Sequence, residues 1–353
     1  MPSLELPGNP NFSSGPCAKR PGWKISVLNK ALVGRSHRSK ESVKKIQKIL
    51  YELRSILVIP KDYEVALVGG SDTGAFEMAM WNLLGYKSVE VLAWESFGKD
   101  WILDIVEQLK IKDAKLIQSD YGQLPDLKNI NFENDVVFTW NGTTSGVKVP
   151  NGNWIPDTRK GLTLCDATSA VLAMSLPWKK LDVVTFSWQK VLGGEAQHGI
   201  LVMSKRAIDR LKIYNPPWPI PKLFRITKEG KLQKKIFQGN TINTPSLICI
   251  EDAIDALNWV KKIGGLNEMI NRSINNLKII EIWVSNTKWI DFVAEKKETR
   301  SSTSICLKIV DPWFKSLSNE DKITIIQFIS ENLAKNKVAY DIISYPSAPS
   351  GIR

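Results

Sequence analysis

Three short motifs carry groups that one kind of chemistry needs together. An apolar run at 65–68 passes into Gly69-Gly70-Ser71-Asp72-Thr73-Gly74 and then into an apolar helical stretch. A strand, a glycine-rich turn and a helix start present free backbone N–H groups and a positive dipole end to a phosphate. The plainer alternative is an ordinary glycine turn with Ser71 or Asp72 as N-cap. Asp166 ends the apolar run 162–165. There a carboxylate must either have its desolvation offset by a cationic or protonated partner or cap the segment that follows. Lys190 comes 24 residues after Asp166, with Val191-Leu192 and then Gly193-Gly194 behind it. A lysine shielded in this way is a candidate nucleophile toward an aldehyde. Pyridoxal phosphate asks for all three: an anchor for its phosphate, an acid at its pyridine nitrogen and an amine at its aldehyde.

These residues need a frame. Seven short apolar runs, at 65–68, 88–94, 114–117, 135–140, 162–165, 183–187 and 199–203, alternate with longer helical stretches. Such alternation predicts an α/β fold: a large domain with a mostly parallel seven-stranded sheet flanked by helices. In such sheets chemistry gathers beyond the carboxyl ends of the strands. The residues just past the runs are accordingly polar: 69–74, Asn141-Gly142-Thr143-Thr144, Asp166-Ala167-Thr168 and Trp188-Gln189-Lys190. Apolar positions at three- and four-residue steps predict helices over 39–57 and 246–263, and the prolines of 215–221 predict a loop. Pro2, Pro7, Pro10, Pro16 and Pro21 make 1–24 an extended arm. The large cofactor-binding domain is then 25–250. A smaller C-terminal α/β domain spans 251–353, with a strand over 303–310 and a helix over 322–333.

The chain has 353 residues, 43% of them hydrophobic and 24% charged, the mix of a globular protein with a large core. No apolar run is long enough to span a membrane. The segment Met1-Pro-Ser-Leu-Glu-Leu-Pro7 has no secretory pattern, so the cytoplasm is the expected compartment. Four scattered cysteines and two histidines suit neither a disulfide framework nor a metal centre. An excess of 48 Lys+Arg over 36 Asp+Glu gives +12, which fits nucleic acid or an anionic substrate. The lysines are dispersed without interleaved aromatics, which favours the small anion.

On these residues the chain resembles the class V aminotransferases of fold type I, and within them the branch that forms phosphoserine. The resemblance runs through Asn11-Phe-Ser-Ser-Gly-Pro-Cys-Ala-Lys-Arg-Pro-Gly-Trp23, Ser36-His-Arg-Ser39, Gly70-Ser-Asp-Thr-Gly-Ala75, Asp166-Ala-Thr-Ser-Ala170, Ser187-Trp-Gln-Lys-Val-Leu-Gly-Gly194 and Asn243-Thr-Pro-Ser246. It implies that L-glutamate gives its amino group to pyridoxal 5'-phosphate and leaves as 2-oxoglutarate. 3-Phosphohydroxypyruvate then takes the group and leaves as O-phospho-L-serine. Lys190 would bind the aldehyde and move the substrate proton, while Asp166 would hold the ring nitrogen protonated. Trp101 would stack on the ring, Thr143 would bond the phenolic oxygen, and Ser71, Asp72, Thr73 and Gln189 would hold the phosphate. Asn243 and Thr244 would reach that phosphate from the neighbouring subunit of a homodimer. His37 and Arg38, also across the interface, would receive the substrate phosphate. His198 reads as a structural residue.

The resemblance also implies an arginine for the substrate α-carboxylate in a Gly-hydrophobic-Arg motif, matched by Gly351-Ile352-Arg353. There the chain stops, which predicts that the small domain lacks its final strand or that the sequence is truncated. Ser344-Tyr-Pro-Ser-Ala348 lacks the basic residue that many relatives carry, and Lys19 or Arg20 is the expected substitute. A serine–pyruvate or alanine–glyoxylate aminotransferase would share Asp166 and Lys190 without needing His37-Arg38. A cysteine desulfurase would need a mobile loop cysteine. A catalytically dead cofactor-fold protein would be yellow and inert. A basic nucleic-acid-binding protein is the alternative of another class.

Overall fold

The computed structural model describes residues 5–12, 15–345 and 347–353; the first four residues of the expected arm, Ser13 and Ser14 of its motif, and Pro346 lie outside them. The first long helix, α1 (Lys40–Ile56), is capped by Ser39, whose hydroxyl accepts from the Ser42 N–H. Its Ile46, Ile49, Leu50, Leu53 and Ile56 are buried along one face. Next come β1 (Glu64–Gly69), α2 (Ser71–Leu83), β2 (Val89–Ala93), α3 (Ser96–Leu103), β3 (Lys115–Gln118) and β4 (Asp135–Thr139). Then follow β5 (Thr163–Asp166), β6 (Val183–Ser187), β7 (His198–Met203) and α4 (Lys205–Ile213).

All seven runs predicted from the sequence join one sheet, in the order β1-β7-β6-β5-β4-β2-β3. Four of its pairings are parallel, and β7 runs antiparallel between β1 and β6. Strands covered on both faces must be apolar throughout, and β2, β4, β6 and β7 are buried at every position. Core side chains lie on both sides of the sheet, one group packed with α1 and the other with α2.

The two edges of the sheet treat acids differently. Near the amino ends, Asp135 meets Arg210 at 2.5 Å, and Asp182 meets Arg159 at 3.0 Å and Arg206 at 2.9 Å. These buried charges are neutralised by arginine, so they hold the scaffold. Asp166, at the carboxyl end of β5, is met instead by N–H donors described below.

Two close approaches seat α2 on the sheet. Gly70 has φ +84, the left-handed turn that ends β1, and a Cβ on Gly199 would lie 2.1 Å from the Ser71 carbonyl oxygen.

Beyond β7, residues 214–221 form no helix or strand, as the prolines predict. Then α5 (Leu247–Ile263) and α6 (Gly265–Ser285) lead to β8 (Ile290–Phe292), β9 (Leu307–Ile309), α7 (Asn319–Lys335) and β10 (Gly351–Ile352). Strands β8, β9 and β10 form a small antiparallel sheet over Val284, Ile290, Phe292 and Leu307. The expected boundary at 250/251 falls inside α5, whose Ile250, Ile254, Leu257 and Val260 pack into the main core with α1.

The strand expected over 303–310 is shorter. The Ser301 hydroxyl accepts from the Thr303 and Ser304 N–H groups, and the Thr303 hydroxyl donates to the Ser169 carbonyl oxygen. Such local side-chain bonds compete with a strand ladder, so the chain bends here and only 307–309 pair. Among the described residues, no helix is long and apolar enough to cross a membrane.

Candidate active site

The carboxyl ends of β1, β4, β5 and β6 open on one edge, and the loops beyond them build two cavities that meet at Lys190. The first is lined by Ser71, Asp72, Thr73, Trp101, Thr143, Asp166, Gln189 and Lys190, which are the expected cofactor residues contributed by one chain. Phe97, Thr139, Asn141 and Thr168 complete it. Asn141 and Thr168 lie in the polar stretches just past strands; Phe97, on α3, has no such signal.

Helix α2 starts at this cavity, and no side chain caps it. The N–H groups of its first turn have no acceptor within the helix, which makes a cradle for an anion. The Ser71 N–H turns back to the Gln197 carbonyl oxygen at 3.3 Å, leaving the next turn positions, Asp72 and Thr73, to face the anion. The Asp72 side chain is buried, and its Oδ1 has no partner. Burial, and then the charge of Asp166, push this carboxyl well above the usual range. A carboxyl shifted in this direction repels a phosphate less than one with the ordinary value would.

Asp166 accepts from the Thr168 N–H at 3.0 Å and from the Trp101 indole N–H at 3.3 Å. Trp101 is buried on α3 with its ring against Phe76. The Thr143 hydroxyl donates to Ser169 Oγ at 2.8 Å, and Gln189 accepts a short hydrogen bond from the Ser187 hydroxyl. An anion cradle, a half-buried acid held by N–H donors, an indole and a lysine amine in one cavity fit pyridoxal phosphate.

The second cavity, about 430 Å³, lies on the other side of Lys190 and is lined by Cys17, Ser169, Arg272, Asn276, Thr303 and Arg353, among others. Arg353 donates from Nε to the Ile343 carbonyl oxygen at 2.7 Å, and its guanidinium lies 4.0 Å over the Tyr345 ring. The arm passes beside this cavity, with the Cys17 N–H bonded to the Gln189 carbonyl oxygen at 2.7 Å. The two arm cations expected to serve the substrate phosphate are engaged elsewhere. Lys19 pairs with Asp252 at 2.7 Å and Glu195 at 2.8 Å, and Arg20 forks onto Asp255 at 2.7 and 2.9 Å.

Asn243 packs on Gly69 of its own chain: a Cβ there would stand 2.8 Å from Asn243 Nδ2. Neither Asn243 nor Thr244 lines the first or the second cavity of its own chain. His37 and Arg38 line neither cavity. The buried His37 Nε2 has no partner, and burial followed by the Arg38 charge pushes the imidazole down from its ordinary range. His198 is the structural residue the sequence suggests: it stacks on Trp188 and accepts from the Ser246 N–H at 3.1 Å, and burial brings it down to about 4. Arg272 was not legible beforehand. Mid-helix, four residues after Glu268, it reads as half of a surface pair.

No protein-family model matches the chain. Over all 353 residues it is 56% identical to the phosphoserine aminotransferase of Methanosarcina mazei, covering 93% of that protein. Among solved structures, a phosphoserine aminotransferase from Cytophaga hutchinsonii superposes with a TM-score of 0.81 at 21% identity, over 97% of this chain and 92% of that one. An alanine–glyoxylate aminotransferase from Nostoc reaches 0.79 at 16% identity, over 100% and 90%. At such identities the structural likeness speaks for the fold, which both kinds of aminotransferase share.

Proposed function

The chain belongs to the phosphoserine aminotransferases, and on that premise we propose that it transfers the amino group of L-glutamate to 3-phosphohydroxypyruvate, using pyridoxal phosphate and leaving 2-oxoglutarate and O-phospho-L-serine. The observation that carries this reading is the place of Lys190 in the wall of both an anion cradle with a half-buried acid and a second cavity lined by arginines. When bound, pyridoxal phosphate supplies an electron sink next to the substrate Cα and carries the amino group from one acid to the other.

The residues of this chain then have distinct tasks. Asp166 holds a proton on the ring nitrogen, oriented by Trp101 and the Thr168 N–H. Ser71, Thr73 and Gln189 would hold the phosphate at the α2 start, with Asp72 contributing its backbone N–H beside a carboxyl whose protonation burial favours. Asn243 and Thr244 of a neighbouring subunit would approach the same group, and Thr143 would bind the phenolic oxygen. Lys190 Nζ would take the proton from the substrate Cα and return it two bonds away, on the far side of the transferred nitrogen. Arg353 binds the α-carboxylate, since a guanidinium fork matches a carboxylate. The homodimer belongs to this reading too. His37 and Arg38 sit outside the cavities of their own chain, and a partner subunit would bring them to the substrate phosphate.

The test is an absorption spectrum. Glutamate removes the visible band of the yellow protein, and 3-phosphohydroxypyruvate restores it. A band restored by pyruvate or glyoxylate instead moves the enzyme to the alanine–glyoxylate type, and a colourless protein that ignores added pyridoxal phosphate overturns the assignment.

A further inference from the structure

We propose that Arg272 is a further residue that grips the distal phosphate of the keto acid, from the same chain as Lys190 and in addition to the His37 and Arg38 that a partner subunit would bring, and so strengthens the preference for a phosphorylated substrate; this rests on the functional reading above. The second cavity has three cationic side chains on its wall, Lys190, Arg272 and Arg353. Two have tasks at the reacting carbon and the α-carboxylate. Arg272, on α6, lines the same cavity as Asn276 and Ser302, whose amide and hydroxyl can add to the coordination of a tetrahedral anion.

The other cations near the arm are unsuited. Lys19 and Arg20 are held by carboxylates of α5, and the segment 344–348 has no basic residue at all. Arg272 is half exposed and restrained in two ways. Glu268 accepts from its Nε at 2.8 Å, and its guanidinium stands 5.6 Å over the Trp259 ring. Glu268 thus occupies Nε and Trp259 lies under the guanidinium, while its two terminal nitrogens keep donors that a phosphate in the adjoining cavity can engage. A phosphate dianion outcompetes a single carboxylate for this group, whereas the γ-carboxylate of glutamate meets Glu268 on equal terms. One site can then hold phosphate firmly and glutamate loosely.

The experiment compares wild-type holoenzyme, Arg272→Gln, Arg272→Lys and Glu268→Gln, with glutamate as donor and 3-phosphohydroxypyruvate or unphosphorylated hydroxypyruvate as acceptor. Losing a charge-assisted contact to phosphate should raise KM for the phosphorylated acid roughly 10- to 100-fold in Arg272→Gln, with kcat little changed. Selectivity over hydroxypyruvate should fall by the same factor. Arg272→Lys should recover part of it, and Glu268→Gln, which frees the guanidinium, should lower KM for the phosphorylated acid. Inorganic phosphate, as a competitive inhibitor, should lose affinity in parallel. If wild type prefers the phosphorylated acid and Arg272→Gln keeps that preference, the inference is overturned and the family reading stands. Equal losses for both acceptors would mean a structural role and would overturn it as well. A wild type with no preference for the phosphorylated acid would overturn both readings.

Discussion

Trp101 donates its indole N–H to Asp166 Oδ2 across 3.3 Å, joining α3 to the end of β5. In the proposed site, the ring that would cover the cofactor would therefore also aim the acid at the ring nitrogen. Trp101→Phe keeps the aromatic surface and removes the donor. Pyridoxal phosphate affinity, followed by absorbance titration, should weaken about tenfold. Asp166→Asn removes the proton-holding group altogether, and the glutamate half-reaction should slow at least about a hundredfold in stopped-flow.

Asp72 gives a prediction of the opposite sign. Its carboxyl titrates above the ordinary range in the folded protein, so the folded state keeps a proton that the unfolded state releases. Stability from this group is present at low pH and lost as pH rises from the ordinary carboxylate range through the raised value. Asp72→Asn carries no charge to bury. Urea unfolding of the apoenzyme should show the variant gaining on wild type as pH rises above the ordinary carboxylate range. A variant that gains nothing on wild type as pH rises would contradict the raised carboxyl.

His198 governs the acid side. Its folded value of about 4 lies below the ordinary 6.5, so the unfolded chain takes up the proton first. Stability is full above pH 6.5 and falls toward pH 4, by about 3 kcal/mol from this residue. His198→Gln can still accept from the Ser246 N–H, and its unfolding free energy should depend less on pH over that window.

The arm is pinned by one buried acid. Asp252 accepts from Lys19 Nζ at 2.7 Å, Trp23 Nε1 at 3.1 Å and the Glu195 N–H at 3.2 Å. Asp252→Ala leaves Trp23 Nε1 and the Glu195 N–H without their acceptor and Lys19 with Glu195 alone, and should cost about 2 kcal/mol in chemical unfolding. It should also loosen the stretch that carries Cys17 along the second cavity. Cys17 is exposed at the cavity wall, and partial desolvation by its neighbours holds the thiol above its ordinary range, against the pull of Lys190. A thiol reagent should therefore label Cys17 faster in the variant, and bound substrate should slow the labelling in wild type.

Much of this protein is written in local sequence. Six of the seven strands of the main sheet follow from short apolar runs, because a strand buried on both faces has to be apolar along its length; the edge strand β3 is largely exposed. The lysine, the acid and the glycine turn follow from the rule that such a sheet displays its polar residues past its strand ends, and all three line one cavity. The family resemblance implies roles for Trp101 and Thr143 that spacing alone does not show.

The tertiary structure decided what distant residues do to one another. Asp135, Asp166 and Asp182 all lie at strand ends, and only the fold reveals that arginines neutralise two of them while an indole and a backbone amide meet the third. Lys19 and Arg20 look available in the sequence, yet α5 engages both, from positions more than 230 residues away. Arg272 shows the converse: it has the local pattern of a surface pair and stands at the cavity that Lys190 and Arg353 share. Hydrophobic periodicity is a property of neighbouring residues and is legible in the chain. Electrostatic partnership depends on distance in space, so it exists only once the helices have packed against the sheet.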